Sequence, residues 1–209
     1  MSYLENLHPK ETDPELVSLR MRAERDGVPI ISGEGLRFLR QVLTLGGAKT
    51  ILEIGTATAY SAIAMAKHAP GARITTVERE AELALEARKN IKAAKLEGRI
   101  EVIETDATTM DTSILESPFD LVFIDGAKSQ SLTFFEKFAP LVRIGGVVVV
   151  DNLLFHGFVG DDAPRAKNRN TRQLVRKIDH FNRTLLALDH YESAIHPIGD
   201  GMSLSIRRK

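Results

Sequence analysis

The sequence predicts an α/β protein whose doubly wound, mostly parallel sheet carries helices on both faces. The first observation behind this prediction is that five short apolar runs alternate with helical stretches between residues 50 and 152, the order typical of a parallel sheet covered on both sides. The second is that residues 191–209 hold two further strand-like runs around a turn at 199–201, which predicts an antiparallel C-terminal strand. Together these observations predict seven strands, preceded by two N-terminal helices.

Two helices are predicted before the sheet. Residues 13–15, Asp-Pro-Glu, combine a capping carboxylate, a proline that needs no hydrogen-bond donor and an acid in the first turn, which is a helix start. Gly27 ends this first helix. A second helix is expected to begin at Ser32 and to stop at Gly46-Gly47.

The strands and helices of the sheet region follow in alternation. In chain order the five apolar runs are TILEIG, ARITTVE, RIEVIET, FDLVFIDG and GGVVVVDN. Helices are expected after the first run, which is followed by small residues, over residues 80–96, over residues 129–141 and near residues 170–187.

The composition is that of an ordinary globular protein. The chain has 209 residues, 43% of them hydrophobic and 27% charged, which predicts a single domain over residues 1–209. No apolar run has membrane-spanning length and the N-terminus lacks the apolar core of a signal peptide, so we expect no membrane partner and a cytoplasmic location. Lysine plus arginine and aspartate plus glutamate number 28 each, so any nucleic-acid partner must be argued from local clustering. Cysteine is absent, which excludes disulfides, thiolate metal sites and sulfur nucleophiles.

Acidic residues follow the strands of the predicted sheet, where ligands of such sheets bind. Gly55 is the single glycine of the stretch EIGTATAYS after the first strand, whereas a dinucleotide-binding turn normally has three. Glu78 ends the second strand 23 residues later, the place of a carboxylate that binds a ribose. The pattern predicts a ligand with a ribose but no phosphate chain, and the nearby Glu53 and Asp125 favour a cationic one.

Five motifs, LEIGTATAYSAIAMA, TTVERE, IETDA, FDLVFIDGAK and GGVVVVDN, resemble in order and spacing those of class I S-adenosylmethionine-dependent methyltransferases. They are most similar to the metal-dependent O-methyltransferase branch that includes catechol and caffeoyl-CoA enzymes. The resemblance covers roughly residues 28–207. It implies a Rossmann-like core over residues 50–209, a lid formed in part by the helices of residues 1–48, and a homodimer.

The same resemblance implies the residues that hold S-adenosylmethionine. The methionine part is expected at Glu53, Gly55 and Ser61, with Asp125 nearby, and the ribose at Glu78. Asp106 and Ala107 are expected to meet the adenine, and Ile30 and Ile31 to close over the cofactor. Tyr60 fits either a cofactor contact or an aromatic side chain that packs its helix onto the sheet.

A metal site and a catalytic pair are predicted at the fourth and fifth strand ends. Asp125, Asp151 and Asn152 offer hard oxygen ligands that suit Mg²⁺, Mn²⁺ or Ca²⁺, and the resemblance implies the same three ligands. An Asx-turn at residues 151–152 is the structural alternative. With Asp125, Lys128 is the expected catalytic residue, since it matches the lysine that similar enzymes use as general base or oxyanion partner.

The acceptor of the methyl group is predicted from a basic segment and from a narrower family resemblance. Residues 164–177 carry six basic residues and no acid, which could follow a nucleic-acid backbone or form a solvated helix start. The basic residues are Arg165, Lys167, Arg169, Arg172, Arg176 and Lys177. The stretches IDGAK, DNLLFHG, KNRNTR, FN and PIGDGMSLSI resemble the bacterial tRNA 5-hydroxyuridine methyltransferases. That resemblance implies 5-hydroxyuridine at the tRNA wobble position as acceptor; the alternatives are a small catechol-like or phenolic acceptor, or a non-catalytic module that binds adenosine or RNA.

Overall fold

The computed structural model describes residues 7–160, 163–164, 166 and 168–209, and its centre is a seven-stranded sheet. The strands are β1 (Thr50–Ile54), β2 (Arg73–Glu78), β3 (Ile100–Glu104), β4 (Phe119–Ile124), β5 (Val142–Val150), β6 (Tyr191–His196) and β7 (Met202–Arg207). Their order in the sheet is β3-β2-β1-β4-β5-β7-β6. Strands β1 to β5 pair in parallel, and β7 is antiparallel to both of its neighbours. The predicted mostly parallel, Rossmann-like sheet with an antiparallel C-terminal strand is confirmed.

Six α-helices surround this sheet in the described part of the chain. They are α1 (Pro14–Asp26), α2 (Gly33–Gly46), α3 (Tyr60–His68), α4 (Ala81–Ala93), α5 (Ser131–Phe138) and α6 (Arg169–Leu186). None of the helices that the structure describes has both the length and the apolar character that crossing a bilayer demands.

The caps of the first two helices are those that the sequence predicts. The Asp13 carboxylate accepts the N–H groups of Glu15 and Leu16 at the start of α1, and the Ser32 hydroxyl accepts the N–H of Gly35 in α2. The expected helix over 129–141 is divided, because 3₁₀ turns at 128–130 and 139–141 flank α5. The second turn contains a proline, which cannot donate to an α-helical ladder.

The two faces of the sheet carry separate hydrophobic clusters. Leu16, Leu39 and Ile63 belong to the cluster that joins helices α1 to α4 to one face. Phe138 and Phe181 belong to the cluster that joins α5 and α6 to the other. Because side chains alternate along a strand, neighbouring residues of β1 enter opposite clusters. Both faces are therefore covered, and polar groups collect at the carboxyl ends of the parallel strands.

Candidate active site

A cavity of about 760 Å³ opens at the carboxyl ends of β1, β2, β4 and β5. All but one of the twelve site residues predicted from the sequence line it: Ile30, Ile31, Gly55, Ser61, Glu78, Asp106, Ala107, Asp125, Lys128, Asp151 and Asn152. The exception is Glu53. Tyr60 also lines the cavity and is buried, and its hydroxyl accepts hydrogen bonds from Arg20 of α1, so both roles considered for this side chain are compatible with its position.

The loop after β1 is shaped by the close approach of β4. Gly55 has φ +102°, and a Cβ there would lie 2.5 Å from the carbonyl oxygen of Asp125. A side chain at this position would collide with backbone, so the single glycine is required by sheet packing. Ala57 and Ala59 also have positive φ, 46° and 64°, and the resulting tight turn leads directly into α3.

Glu78 connects the loops that follow β1 and β2. Its Oε2 accepts the N–H of Ala57 at 2.9 Å, and its Oε1 accepts those of Arg79 and Glu80 at 2.9 and 3.0 Å. A carboxylate has about four lone-pair positions, so this side chain, which also lines the cavity, keeps capacity for a further donor. The contact with a ribose stays a prediction.

Glu53 lies behind the cavity wall, not on it. The side chain is 0% exposed, and it accepts hydrogen bonds from Ser61 Oγ at 2.5 Å and Thr76 Oγ1 at 2.6 Å. Strand alternation turns Glu53 toward α3, and its expected role at the methionine part of the cofactor stays a prediction. Glu53 orients Ser61, which does line the cavity.

Burial raises the pKa of Glu53 to about 7, against an ordinary value of 4.5. The folded state therefore binds this proton more tightly than the unfolded state, and the stability gained at low pH is lost as the pH rises from about 4.5 to about 7. We expect Glu53→Gln to reduce this fall in the free energy of unfolding by up to about 3 kcal/mol, measured by urea unfolding at pH 5 and pH 8. Glu101→Gln, at an exposed position of β3, is the control; equal pH slopes in wild type and Glu53→Gln would contradict the prediction.

Asp125, Asp151 and Asn152 are brought into direct contact. Asn152 Nδ2 donates to Asp125 Oδ1 at 2.8 Å, and the Asn152 N–H donates to Asp151 Oδ1 at 2.6 Å. Asn152 has φ 71°, a conformation that asparagine adopts more readily than most residues. Burial, followed by the charge of Asp151, raises the pKa of Asp125 well above its usual range, and burial raises the pKa of Asp151 to about 6.

Lys128 supplies a positive charge beside this acidic pair. It begins the 3₁₀ turn before α5 and lines the cavity, and its charge lowers the pKa of both Asp125 and Asp151. Its Nζ lies 5.6 Å from the centroid of the Phe155 ring, within cation–π range. The cavity thus combines two carboxylates, an amide and an ammonium.

His156 and Asp200 are among the further residues that line the cavity and that were not predicted as site residues from the sequence. Asp200 was assigned only to the turn between β6 and β7. Its Oδ1 accepts the N–H of His156, and its Oδ2 lies 3.7 Å from His156 Nδ1. The sequence does contain one indication of a role for Asp200: it is an acid between two glycines at a predicted turn, and the turn itself does not require an acid there.

The structure describes four of the six basic residues of the predicted basic segment. Arg169, Arg172, Arg176 and Lys177 lie on α6, whereas Arg165 and Lys167 lie outside the described residues. The spacing of Arg169, Arg172 and Arg176 places these three on one helix face. None of the four described basic residues lines the cavity, so a role for them would lie beyond the acceptor pocket.

Comparison with known proteins agrees with this geometry. The O-methyltransferase family matches residues 11–209. The chain is 32% identical to the catechol O-methyltransferase of Niastella koreensis, over 98% of this chain and 94% of that protein. A Staphylococcus aureus structure, provisionally assigned as a caffeoyl-CoA O-methyltransferase, has TM-score 0.91 and 35% identity over 98% of this chain and 97% of that one.

A Bacillus cereus O-methyltransferase, solved in complex with S-adenosylhomocysteine, has TM-score 0.81 and 27% identity over 95% of this chain and 92% of that one. The family match covers nearly the whole chain, and the cavity lies where the predicted cofactor motifs meet. The chain therefore belongs to the O-methyltransferase family, and it is an S-adenosylmethionine-dependent O-methyltransferase.

Proposed function

We propose that this enzyme, with a divalent cation bound, transfers the methyl group of S-adenosylmethionine to the 5-hydroxyl of 5-hydroxyuridine at the tRNA wobble position. The observation that carries the proposal is the contact between Asp125, Asp151 and Asn152 beside Lys128 in one cavity. Asp125, Asp151 and Asn152 would hold the cation, which would supply a Lewis acid for the acceptor hydroxyl, and Lys128 lies beside them.

The acidic pair fits a divalent cation. Within the described chain, no cluster of three histidine, aspartate or glutamate side chains could hold a metal, so Asp125 and Asp151 need the amide oxygen of Asn152 as a third ligand. Burial raises the pKa of both carboxyl groups, and a cation bound between them would favour their ionised forms. All three ligands are hard oxygens, which favours Mg²⁺, with Mn²⁺ or Ca²⁺ as alternatives. When bound, the ion would act as a Lewis acid on the acceptor hydroxyl.

The chain's own groups account for the remaining steps. Lys128 Nζ either takes the hydroxyl proton as a general base or, where that proton passes to solvent, stabilises the oxyanion as an ammonium. The acceptor oxygen then forms a bond to the methyl carbon while the carbon–sulfur bond breaks, and S-adenosylhomocysteine leaves. Ser61, Glu78, Asp106 and Ala107 would orient the cofactor for this in-line displacement.

Charge on α6 supports the tRNA acceptor. Arg169 and Arg176 are exposed on the same helix face, and a basic face outside a pocket suits contact with a phosphate backbone. A second candidate acceptor is a small catechol-like or phenolic molecule. The support for it is the similarity of this chain to the catechol O-methyltransferase of Niastella koreensis. The predicted homodimer and cytoplasmic location stay predictions.

Nucleoside analysis of tRNA from a strain that lacks this protein tests the acceptor. We expect 5-hydroxyuridine to accumulate and 5-methoxyuridine to disappear, because no other step in the proposal supplies the methyl group. Wild-type protein should restore 5-methoxyuridine. An unchanged nucleoside profile, together with methylation of catechol by the purified enzyme, would contradict the tRNA acceptor and support the small phenol.

Charge reversal on α6 sharpens this test. Arg169→Glu with Arg176→Glu should weaken tRNA binding and flatten its salt dependence, while catechol turnover and cofactor affinity stay unchanged. Lys89→Glu with Lys92→Glu, on the exposed face of α4, is the matched control. Equal losses in both double variants would show that α6 makes no specific contribution.

A further inference from the structure

The segment of residues 152–157, which follows β5 at the cavity, is held in a sparsely populated backbone conformation. Asn152, Phe155 and His156 have φ values of 71°, 44° and 56°, and Gly157 has φ 78°. Left-handed backbone is unfavourable for residues that carry a Cβ, and for a bulky residue such as phenylalanine it persists only where surrounding contacts impose it. Something outside the segment must therefore hold it.

The turn at residues 199–201 supplies these contacts. The N–H of Leu153 donates to the Gly201 carbonyl at 2.9 Å, and the N–H of Leu154 donates to the Asp200 carbonyl at 2.8 Å. The N–H of His156 donates to the Asp200 carboxylate. The Asp200 side chain is only 19% exposed, and its Oδ2 is buried without a hydrogen-bond partner among the described atoms. The side chain of Asp200 thus fixes the tip of the segment, where three consecutive residues have positive φ.

The segment presents two groups to the reacting centre. At its start, Asn152 donates to Asp125. At its tip, the Phe155 ring lies 5.6 Å from Lys128 Nζ. A shift of the segment would therefore move both the predicted metal ligand Asn152 and the aromatic neighbour of Lys128.

We propose that Asp200 is a positioning residue for methyl transfer, which holds the segment 152–157 so that Asn152 and Phe155 keep their places against Asp125 and Lys128. The inference rests on the proposed function for its catalytic part only. The carboxylate acts as a hydrogen-bond acceptor. An asparagine has the same shape and keeps Oδ1, so it should preserve the anchoring of the segment, whereas an alanine should lose it.

The test compares Asp200→Ala and Asp200→Asn in steady-state kinetics with S-adenosylmethionine, Mg²⁺ and either catechol or tRNA that contains 5-hydroxyuridine. We expect Asp200→Ala to lower kcat by about 100-fold, the scale of a 1 Å misplacement, with the affinity for S-adenosylhomocysteine within about twofold of wild type. Asp200→Asn should keep at least about one third of kcat. Asp111→Ala is the matched control, because Asp111 also accepts a backbone N–H, that of Ser113 at 2.9 Å, but does not line the cavity.

Hydrogen exchange of the Leu154 and His156 amides, measured with S-adenosylhomocysteine bound, tests the anchoring without requiring turnover. Exchange should be faster in Asp200→Ala than in wild type or Asp200→Asn. Asp200→Ser, whose hydroxyl is too short to reach, takes the place of the alanine variant if that variant does not fold. Unchanged exchange, or faster exchange with wild-type kcat, would overturn the proposal. A wild-type enzyme inactive on both acceptors would count against the proposed function alone, since the exchange rates would still decide the anchoring role.

Discussion

Lys128→Ala should lower kcat by about 10²- to 10⁴-fold, the usual contribution of a positioned acid–base group, while the dissociation constant for S-adenosylhomocysteine stays within about twofold. The reason is geometric. Lys128 lines the cavity beside Asp125 and Asp151, whereas Ser61, Glu78 and Asp106, which are assigned to the cofactor, lie outside this loop. Single-turnover kinetics and isothermal titration calorimetry would measure the two quantities separately.

Lys128→Arg separates the two roles that remain open for this lysine. Arginine keeps the positive charge but cannot give up its proton in a protein, so substantial activity in this variant would indicate an oxyanion partner and an inactive variant would indicate a general base. Lys137→Ala is the control, since Lys137 also lies over an aromatic ring, at 5.7 Å from the Phe138 centroid, without lining the cavity. Loss of cofactor affinity together with kcat in Lys128→Ala would count against a role limited to the acceptor.

Asp151→Asn should abolish the response of activity to added Mg²⁺ and, without metal, stabilise the protein at pH 8. The carboxyl groups of Asp125 and Asp151 repel each other when both are ionised in this partly buried place, so the substitution removes one of two uncompensated like charges. In wild type, Mg²⁺ should raise Tm with increasing concentration, because a ligand that binds the folded state shifts unfolding. In Asp151→Asn this shift should be absent.

Differential scanning calorimetry with chelator, and then with Mg²⁺, measures both halves of this result. Asp189→Asn, at an exposed position after α6, is the control and should behave as wild type in both conditions. A Tm that rises equally with Mg²⁺ in wild type and Asp151→Asn would exclude Asp151 as a metal ligand.

The helix caps and the strand alternation could be predicted from the sequence because both depend on interactions between residues close together in the chain. The caps at Asp13 and Ser32 depend on hydrogen bonds within three residues, and strand alternation depends on a two-residue period, so neither needs information from distant parts of the chain. The grouping of the strand ends could also be predicted from the sequence, because parallel strands bring their carboxyl ends to one edge of the sheet. For this reason Asp125 and Asp151 could be expected together although 26 residues separate them.

The bounds of one helix and the surroundings of one predicted cofactor residue became clear only in the structure. The helix expected over 129–141 is shortened to α5 with 3₁₀ turns on both sides. Glu53 was expected at the methionine part of the cofactor, and the structure adds that hydrogen bonds from the hydroxyls of Ser61 and Thr76 hold it behind the cavity wall. Which of the two faces of a strand end meets a ligand depends on how the next helix packs, and no local pattern reports that.

By itself, then, the sequence determined the order of strands and helices, the single-glycine turn at Gly55 and the acidic and amide residues at the strand ends. Only the tertiary structure decided that Glu53 accepts a hydrogen bond from Ser61 behind the cavity wall. It also decided that Asp200, in the turn between β6 and β7, holds His156. The physical reason is that periodicity and capping act over a few residues along the chain, whereas the strained conformation of residues 152–157 is imposed by a turn more than forty residues away.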